Sequence, residues 1–592
     1  MPRDAQEDDR PGRLCHVRVY TSTPAGDVSA LAPGRDLVVH VPEAQGLELA
    51  EGVGARDHLA VAERPRVDAL ARAALDGWRT AHDAALTIDG VCWPFIAELE
   101  LFRGLFVPAI ADAAGVQRAL ATYEADSVVL MDRDPRTEAI VRAAAARRRV
   151  PVQAGGGLPS RPERRPARQP LPRRARRVAA DAVLRVGVPS LVRDGSVVVM
   201  GYWPLMPLLD RMLADRRARP ALVLQSRPTG PARSLRIAAR GGWLGAPGPA
   251  ARRRARRRAE TAAAAAAVAR LEVGGFELGG WFHRRAVEIV RRRAERGIAD
   301  AAMLRRAFGS GRVRRVVVPF DHTPVGRLLV TLAHEASIPT LVVQHGAYFL
   351  PSELTDMQVG REVAVWSPAL VPAPILARDP HVVGYPLGHA RPATRARGPA
   401  GPARVLVLPQ PYDPTTCVVD SRIVMRHYSA AIEAARATLG DARVALRPHP
   451  ADDLEAVAEL QRRYGDLEVD RRPDILQVLR DADLCIAGCS TATLQAALVG
   501  TPVIVLNATG YEWRRPLGAD TAVPIARGFE DLSRWLERWA GGAVLPGGKD
   551  LLDALGVDGG DAAGRLLGIV DVRGSTARRE NTPLTTVSRT EP

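Results

Sequence analysis

The sequence predicts an α/β protein in which parallel sheets are covered by helices. Short β-branched runs alternate with Ala-, Leu- and Arg-rich stretches of helical length, and this alternation is typical of parallel strands joined by crossover helices. The 592 residues are 46% apolar and 25% charged, which excludes collagenous and wholly disordered chains. At roughly 100–200 residues per domain, the length predicts three or four domains.

Each strand is predicted from a short β-branched run, and each helix from a longer Ala-, Leu- or Arg-rich stretch. The predicted strands lie near residues 17–20, 37–40, 127–131, 196–203, 221–226, 314–320, 340–344, 362–366, 404–410, 443–450, 483–488 and 502–507. The predicted helices cover about 136–147, 254–271, 284–308, 421–439, 452–464 and 490–498, and a further helix ends near residue 217.

Pro- and Gly-rich passages mark the boundaries between segments. The predicted segments are an N-terminal α/β lobe (1–157), an Arg/Pro-rich basic linker (158–194), two α/β halves of similar size (195–400 and 401–560) and a disordered tail (561–592). Ligands of paired halves bind between them, at the carboxyl ends of the strands. We therefore expect the functional residues at these strand ends.

Positive charge is concentrated in one part of the chain. The net charge is +16, yet residues 159–258 contain 24 arginines and five acidic residues, so the remainder is slightly acidic. A solvated linker, an anionic membrane surface and nucleic acid could each explain this cluster. The near absence of aromatic residues around it leaves no stacking platform for bases, so we expect no nucleic-acid partner. We hypothesise contact with an anionic membrane.

The sequence also indicates where the protein works. No window approaches 18 uninterrupted apolar residues, and the N-terminus is acidic and polar, unlike a signal peptide. The five cysteines are scattered, which fits a reducing compartment. We expect a cytoplasmic protein that associates peripherally with the inner membrane face.

The segment GCSTATLQAALVG (488–500) follows a predicted buried strand and begins a helix. Ser490, Thr491 and Thr493 fall in its first turn, where free backbone N–H groups and the helix dipole attract an anion. They form a candidate phosphate site. The alternative is a simple helix cap, a role that Ser and Thr often fill.

The segment LRPHP (446–450) ends a strand of the same half. Pro448 and Pro450 stiffen the loop around His449, whose imidazole could donate a proton to a departing phosphate. Arg447 adds a guanidinium that could pair with the same phosphate. His449 and Arg447 are therefore candidate donor-side residues.

Two strand ends of the preceding half supply the facing candidates. VVQHG (342–346) offers Gln344, His345 and Gly346, and FDHTP (320–324) offers Asp321 and His322. A carboxylate or imidazole at this edge could take a proton from an acceptor hydroxyl. The alternative for Asp321 is a capping residue in a turn.

A D-x-D motif formed by Asp132 and Asp134 follows an early strand. Such a motif can bind metal, but its distance along the chain from the other motifs favours a loop cap. We expect neither a metal nor a cofactor.

The order of these motifs resembles that of the GT-B glycosyltransferases of bacterial surface and capsule polysaccharide synthesis. VVQHG, a Pro-rich linker, RPHP and ADLCIAGCSTATLQAALVGTPVIVL occur in that order over about residues 310–510. The group includes enzymes similar to capsule Kdo transferases, bacterial sialyl- and polysialyltransferases and CDP-glycerol glycerophosphotransferases. The resemblance implies two Rossmann-like domains that face a cleft, with the N-terminal lobe as an addition.

The resemblance also implies roles for the residues. His449 would contact the donor phosphate and assist its departure, and Ser490 and Thr491 would bind that phosphate. Gln495 stands where many GT-B enzymes carry a glutamate for ribose hydroxyls. Asp321 or an imidazole of the first half would activate the acceptor, without a metal.

The predicted function is inverting, metal-independent transfer of a sugar or glycerophosphate from a CMP-, CDP- or UDP-activated donor to a surface polysaccharide or lipid-linked acceptor. One alternative is a non-hydrolysing nucleotide-sugar 2-epimerase, which shares the two-domain fold. The other is a membrane-associated scaffold with a degenerate transferase core.

Overall fold

The architecture is described here from a computed structural model of the chain. It describes residues 16–20, 36–40, 53–54, 64–122, 124–130, 135–154, 192–202, 205–215, 220–225, 247–266, 272–273, 276–277, 279–346, 359–371, 373–385, 402–408, 421–448, 454–472, 474–488, 490–507, 523–545, 549–557 and 560–571. His449, the D-x-D pair and most of the basic linker lie outside these ranges.

The N-terminal lobe contains a five-stranded parallel sheet. Its strands and a small hairpin are β1 (His16–Tyr20), β2 (Asp36–His40), β3 (Val53–Gly54), β4 (Thr87–Ile88), β5 (Val91–Cys92), β6 (Ser127–Leu130) and β7 (Val152–Ala154). Its helices are α1 (Arg64–His82), α2 (Trp93–Ile96), α3 (Glu98–Leu101), a π-helix (Phe102–Phe106), α4 (Val107–Thr122) and α5 (Pro135–Arg148). The sheet order is β3-β2-β1-β6-β7, and β4 pairs with β5.

The first half of the two-domain unit contains a six-stranded parallel sheet. Its strands and one antiparallel pair are β8 (Ser196–Gly201), β9 (Pro220–Gln225), β10 (Glu272–Val273), β11 (Phe276–Glu277), β12 (Val313–Val318), β13 (Thr340–Val343), β14 (Glu362–Val365) and β15 (Asp379–Val382). Its helices are α6 (Met206–Ala214), α7 (Pro249–Ala265), α8 (Gly279–Phe308), α9 (Pro324–Glu335), a 3-10 turn (Pro368–Leu370) and α10 (Ala373–Leu376). The sheet order is β15-β14-β13-β12-β8-β9.

The second half repeats this plan. Its strands are β16 (Arg404–Leu408), β17 (Arg443–Leu446), β18 (Glu468–Val469), β19 (Leu484–Ala487), β20 (Val503–Leu506) and β21 (Ile525–Ala526). The helices that follow are α11 (Ser421–Leu439), α12 (Leu454–Arg463), α13 (Ile475–Arg480), α14 (Thr491–Val499), α15 (Phe529–Ala540), α16 (Lys549–Ala554) and α17 (Ala562–Asp571). The sheet order is β18-β17-β16-β19-β20-β21.

Central strands of both six-stranded sheets are buried along their whole length. All residues of β8, β13, β19 and β20 are buried. Helices therefore cover both faces of each sheet, and the Val-rich runs show no alternation with polar residues because neither face meets water. The predicted α/β architecture, with an additional N-terminal lobe, is confirmed.

The two halves share one hydrophobic core at their junction. Trp366, Leu370 and Tyr385 of the first half belong to the same buried cluster as Leu406 and Leu494 of the second. The Ser367 hydroxyl donates to the carbonyl of Leu555, just after α16. These contacts fix one half against the other close to the ends of their strands.

The structure adds one group of helices and corrects one expectation. The helices α1 to α4 of the N-terminal lobe were not predicted. The disordered tail was expected from residue 561, but 562–571 form α17, which packs on α6 of the first half. Leu566 and Val570 join the buried cluster around β8, so apolar burial stabilises a helix in a segment that we assigned to the tail.

Candidate functional site

Three neighbouring strands of the first half end at one cluster of rings. Tyr202 follows β8, Phe320 follows β12 and His345 follows β13. The Phe320 ring lies 4.9 Å from that of Tyr202 and 5.0 Å from that of His345, both edge-on. Because β8, β12 and β13 are adjacent and parallel, their carboxyl ends bring these side chains together.

His345 is half-buried in this cluster and is held in one orientation. Its ring is hydrogen-bonded to the backbone of Pro319, and since proline has no N–H, the imidazole must donate to the carbonyl. Burial lowers the pKa of His345 to about 4, although this hydrogen bond acts to raise it. At neutral pH the ring is therefore uncharged, and its second nitrogen is left as a proton acceptor.

His322 lies next to His345, with the two ring centroids 5.6 Å apart. It is only 4% exposed, and its Nδ1 has no hydrogen-bond partner in the described part of the chain. Burial, together with the nearby His345, Arg103 and Arg327, holds the pKa of His322 well below its usual value. Both imidazoles of the cluster are thus neutral.

Asp321 is completely buried and braces the backbone. Its Oδ2 accepts hydrogen bonds from the amides of Val359 and Gly360, each at 2.6 Å. Burial raises the pKa of this carboxyl, while the two amides act to lower it. Asp321 therefore holds the backbone of residues 359 and 360 in place. This contact fits the alternative role of a capping residue in a turn better than the role of a base that faces an acceptor.

Gln344 is also committed to the backbone. Its amide nitrogen donates to the carbonyl of Gly346 at 2.9 Å, and its amide oxygen accepts from the amide of Trp366 at 2.7 Å. These bonds fix the loop after β13 against the end of β14. Gln344 shapes the loop that carries His345.

Gly346 brings the two halves into contact. A Cβ at this position would lie 3.5 Å from the Thr491 hydroxyl oxygen, which is at the first position of α14 in the second half. The VVQHG loop and the start of the GCSTA helix thus meet. The sequence predicted that both loops face the cleft; the convergence that it predicted for His449 with Ser490 and Thr491 stays a prediction, because His449 lies outside the described residues.

The first turn of α14 divides its hydroxyls between two roles. Ser490 is the N-cap, and its Oγ accepts from the amide of Ala492 at 3.2 Å. Thr493 is buried, and its hydroxyl donates to the carbonyl of Gly488 at 3.0 Å. Ser490 and Thr491 remain partly exposed, so these two residues, and not Thr493, are placed to meet a ligand.

The two remaining donor-side candidates make internal contacts. Arg447 donates to the carbonyl of Arg472 at 2.6 Å and lies 3.7 Å from Asp470. Gln495 is buried, and its amide nitrogen donates to the Tyr385 hydroxyl at 2.8 Å, across the junction of the halves. Gln495 therefore joins the two halves. No local sequence pattern predicts this contact.

Two structural features bear on metals and membranes. In the described ranges, no group of three or more His, Cys, Asp or Glu side chains is arranged to hold a metal ion. Within the same ranges, every helix is too short or too polar to cross a bilayer.

Comparisons with known proteins give structural similarities only. No protein-family model and no curated protein matches the sequence. Acinetobacter baumannii MurG is 13% identical, with a TM-score of 0.35, over 64% of this chain and 99% of its own. The wall teichoic acid polymerase TagF is 10% identical, with a TM-score of 0.36, over 67% of this chain and 96% of its own. A UDP-N-acetylglucosamine 2-epimerase is 12% identical, with a TM-score of 0.37, over 64% of this chain and 94% of its own.

The architecture of the chain is GT-B-like on the strand orders described above. Two parallel six-stranded sheets meet near the carboxyl ends of their strands, and α17 returns from the end of the second half to pack on the first. The sequence pattern predicted two α/β halves with a cleft at the carboxyl ends of their strands. It missed Tyr202 and Tyr385, which are single aromatic residues without a motif.

Proposed function

We propose that the chain transfers a sugar or glycerophosphate from a CMP-, CDP- or UDP-activated donor to a surface polysaccharide or lipid-linked acceptor. One observation carries this proposal: the loop with His345 and Gly346 in the first half meets the start of α14, with Thr491, in the second. A neutral imidazole thus lies near a helix N-terminus. That pairing suits a base for the acceptor and a seat for the donor phosphate.

The donor phosphate would bind at the first turn of α14. Backbone N–H groups and the positive end of the helix dipole attract its negative charge, and the Ser490 and Thr491 hydroxyls add donors. These fixed dipoles can stabilise the departing phosphate without a cation. Arg447 and His449 are proposed to act on the same phosphate, His449 as the proton donor.

In the transfer step, the acceptor oxygen forms a bond to the anomeric carbon, or to the phosphorus of a glycerophosphate donor. The bond from that centre to the nucleotide phosphate oxygen breaks at the same time, which inverts the configuration at an anomeric carbon. The hydroxyl proton passes to the ring nitrogen of His345 that carries no proton, and the proton of His449 goes to the leaving phosphate. The Pro319 carbonyl holds the His345 ring for this transfer.

Melting shifts with CMP, CDP, UDP and GDP test the donor site. A nucleotide at a hundredfold above its Kd should add about 2.7 kcal/mol to the stability of the protein. Thr491→Val should weaken that shift, because it removes a hydroxyl from the proposed seat. Thr493→Val is the matched control, since the Thr493 hydroxyl bonds internally. If none of the four nucleotides shifts the melting of the wild type, the proposal is wrong.

Two activity measurements complete the test. His449→Ala should fold normally and lose transfer activity, whereas full activity in that variant would contradict its role. Incubation of the donor alone, without acceptor, should leave the sugar unchanged. An isomerised sugar would instead identify an epimerase.

We also propose that this transfer takes place at the inner membrane face, with an anionic membrane contacted through the Arg-rich segment 159–258. The end of this segment forms the first part of α7. The six arginines of α7 between residues 252 and 258 are exposed. Ala255 and Ala259 are buried on the helix that packs along α8. Since the small-residue face of α7 is covered by protein, contact would be electrostatic and without insertion.

Flotation with vesicles containing anionic lipid tests the membrane contact. Replacing Arg253, Arg254 and Arg257 by Gln should reduce the bound fraction, and raising the salt should do the same. The control replaces Arg534 and Arg538 on α15, which are also exposed. Equal loss of binding in both variants would show that α7 is not the contact surface.

A further inference from the structure

Three buried rings meet where the N-terminal lobe packs on the first half. Trp78 and His82 lie one turn apart on α1 of the lobe, and His283 lies near the start of α8 of the first half. The His82 ring stacks on the Trp78 indole with centroids 4.8 Å apart, and it lies 4.8 Å from the ring of His283. None of the three residues is more than 3% exposed. Together they form a Trp-His cluster that crosses the lobe boundary.

One hydrogen bond of the Trp-His cluster joins the lobe to the first half. The indole Nε1 of Trp78 donates to Nδ1 of His283 at 3.3 Å. An indole N–H can only donate, so Nδ1 of His283 must keep its lone pair, and the proton of the neutral ring is on Nε2. The bond therefore exists only while His283 is uncharged.

His82 fixes the indole in the position that makes this bond. Its Nδ1 lies 2.7 Å from the carbonyl oxygen of Trp78. Because a carbonyl only accepts, this Nδ1 carries a proton and donates it to the bond. The stacked ring covers one face of the indole, and it places a second titratable imidazole beside His283.

The surroundings of His283 oppose its protonation. Burial is the main cause that lowers the pKa of His283, and the neighbouring His82 and Arg284 lower it further. No carboxylate of the described residues contributes to this shift. Among the charged residues of the adjoining elements, Arg79 pairs with Asp83 and Glu98, Arg147 lies over the Phe276 ring, and β10 and β11 carry Glu272 and Glu277.

We propose that the Trp-His cluster is an acid-sensitive lock, which holds α1 of the lobe on α8 while His283 is neutral and releases it when His283 takes up a proton. A proton on Nδ1 sets two N–H donors against each other and puts a charge in a buried position beside His82, so the bond to Trp78 breaks. The lock does not depend on the proposed transfer activity.

The ion pair between Glu98 and Arg327, which also crosses this boundary, does not respond to acid in the same range. The pKa of Glu98 is lowered by Arg327, Arg79 and Arg72, although burial acts to raise it. Glu98 therefore keeps its charge at a pH where a histidine takes up a proton. Acid should loosen α1 before it breaks this pair.

Hydrogen exchange of α1 in the full chain tests the lock. Unfolded histidine has a pKa near 6.5, and the folded pKa of His283 is lower, so protection that needs its neutral form is complete above pH 6.5 and is lost as the pH falls below that value. Protection of residues 64–82, corrected for the intrinsic exchange rate, should fall by about tenfold between pH 7.5 and pH 4.5. It should return when the pH is restored.

Protection of α11 in the second half, measured in the same samples, is the internal control and should fall much less. Equal protection of α1 at both pH values would overturn the inference. Equal losses in α1 and α11 would also overturn it, because they would show general acid unfolding.

His283→Asn is the conservative variant, because the amide oxygen of asparagine can accept from Trp78 and does not titrate. It should keep the protection of α1 at both pH values. His283→Leu leaves the Trp78 N–H without this acceptor and should lose protection at both. His334→Asn is the matched control, since the pKa of His334 is also lowered but its ring bonds to Thr340 within the first half at 3.0 Å. This variant should behave as the wild type does.

His82→Phe separates the two imidazoles, because it keeps a ring against Trp78 and removes the second titrating group. The acid loss of protection should then begin at a higher pH, since His82 acts to lower the pKa of His283. Absence of the acid loss in His82→Phe would identify His82 as the group that titrates and would overturn the inference. An acid loss in His283→Asn as large as in the wild type would overturn it as well.

Discussion

At the scale of single residues, burial decides which polar groups are available for chemistry. Gln344, Thr493 and Gln495 all occupy motif positions, yet each makes a hydrogen bond inside the protein. His345 is half-buried, and burial keeps its ring uncharged at neutral pH. The motif identifies polar residues at strand ends, whereas the direction of each side chain depends on neighbours that are distant in sequence.

The low pKa of His345 predicts a pH profile. The unfolded value is near 6.5 and burial lowers the pKa to about 4 in the folded state, so the ring stays neutral and able to accept a proton throughout pH 5–7. The acidic limb of kcat/KM should therefore lie nearer pH 4 than pH 6.5. His345→Gln should lower kcat by roughly 10²- to 10⁴-fold.

The pH dependence of the free energy of unfolding provides an independent check on the pKa of His345. His345 must remain unprotonated in the fold, so its contribution to stability is present above pH 6.5 and is lost as the pH falls towards 4. His345→Gln should flatten this part of the stability curve. An acidic limb of activity near pH 6.5 that persists in the variant would contradict the role of His345 as the base.

At the scale of elements, the pair of helices α7 and α8 shows how an arginine-rich sequence is accommodated. Only Ala255 and Ala259 of α7 are buried, so the two helices approach closely while the arginines point outwards. One acidic residue of α8, Asp300, is largely buried near Arg252. Burial raises the pKa of Asp300 to about 6, although Arg252 acts to lower it.

Asp300 predicts a loss of stability with rising pH. The folded state holds its proton up to about pH 6, whereas the unfolded chain releases it near pH 3.9. Stability from this residue is therefore present below pH 4 and lost as the pH rises through 6. Asp300→Asn should be more stable than the wild type above pH 6, by about 1–3 kcal/mol.

Urea denaturation of both proteins between pH 4 and pH 8 measures this effect. The difference in free energy of unfolding should be smallest at pH 4 and constant above pH 7. A difference that is the same at every pH would show that the carboxyl does not titrate differently in the folded state.

At the scale of the whole molecule, one buried carboxylate joins the N-terminal lobe to the first half. Glu98 at the start of α3 pairs with Arg327 of α9, which is completely buried, and with Arg72 at 2.7 Å and Arg79 at 3.5 Å in α1. Burial acts to raise the pKa of Glu98, but the three arginines outweigh it and lower the pKa. The Arg327 guanidinium also lies 4.4 Å from the centre of the Phe95 ring.

Glu98→Gln should destabilise the protein strongly. It removes the carboxylate that Arg327, Arg72 and Arg79 share, whereas Arg79 keeps its pair with Asp83 at 3.2 Å. Loss of the charge opposite the buried Arg327 guanidinium should cost about 3–5 kcal/mol. Chemical denaturation measures the change. Glu138→Gln is the matched control, because the pair formed by Glu138 and Arg142 is exposed and should contribute less than about 1 kcal/mol.

Equal stability of the two variants would show that the lobe is held by apolar packing alone. The expected result would instead show that the ion pairs of Glu98 help to hold the lobe against the first half. Arg327 lies within electrostatic range of Asp321 and His322, so loss of Glu98 should also disturb the ring cluster.

The sequence by itself determined the α/β class, the two similar halves and the strand ends that carry VVQHG, FDHTP and GCSTA, because strand periodicity and glycine or proline boundaries are local properties. Only the tertiary structure decided that Gly346 lies against Thr491, that Gln495 reaches Tyr385 and that α17 returns to the first half. It also decided that Asp321 is completely buried and bonded to the amides of Val359 and Gly360. These features depend on burial between segments far apart in the chain, and no local pattern contains that information.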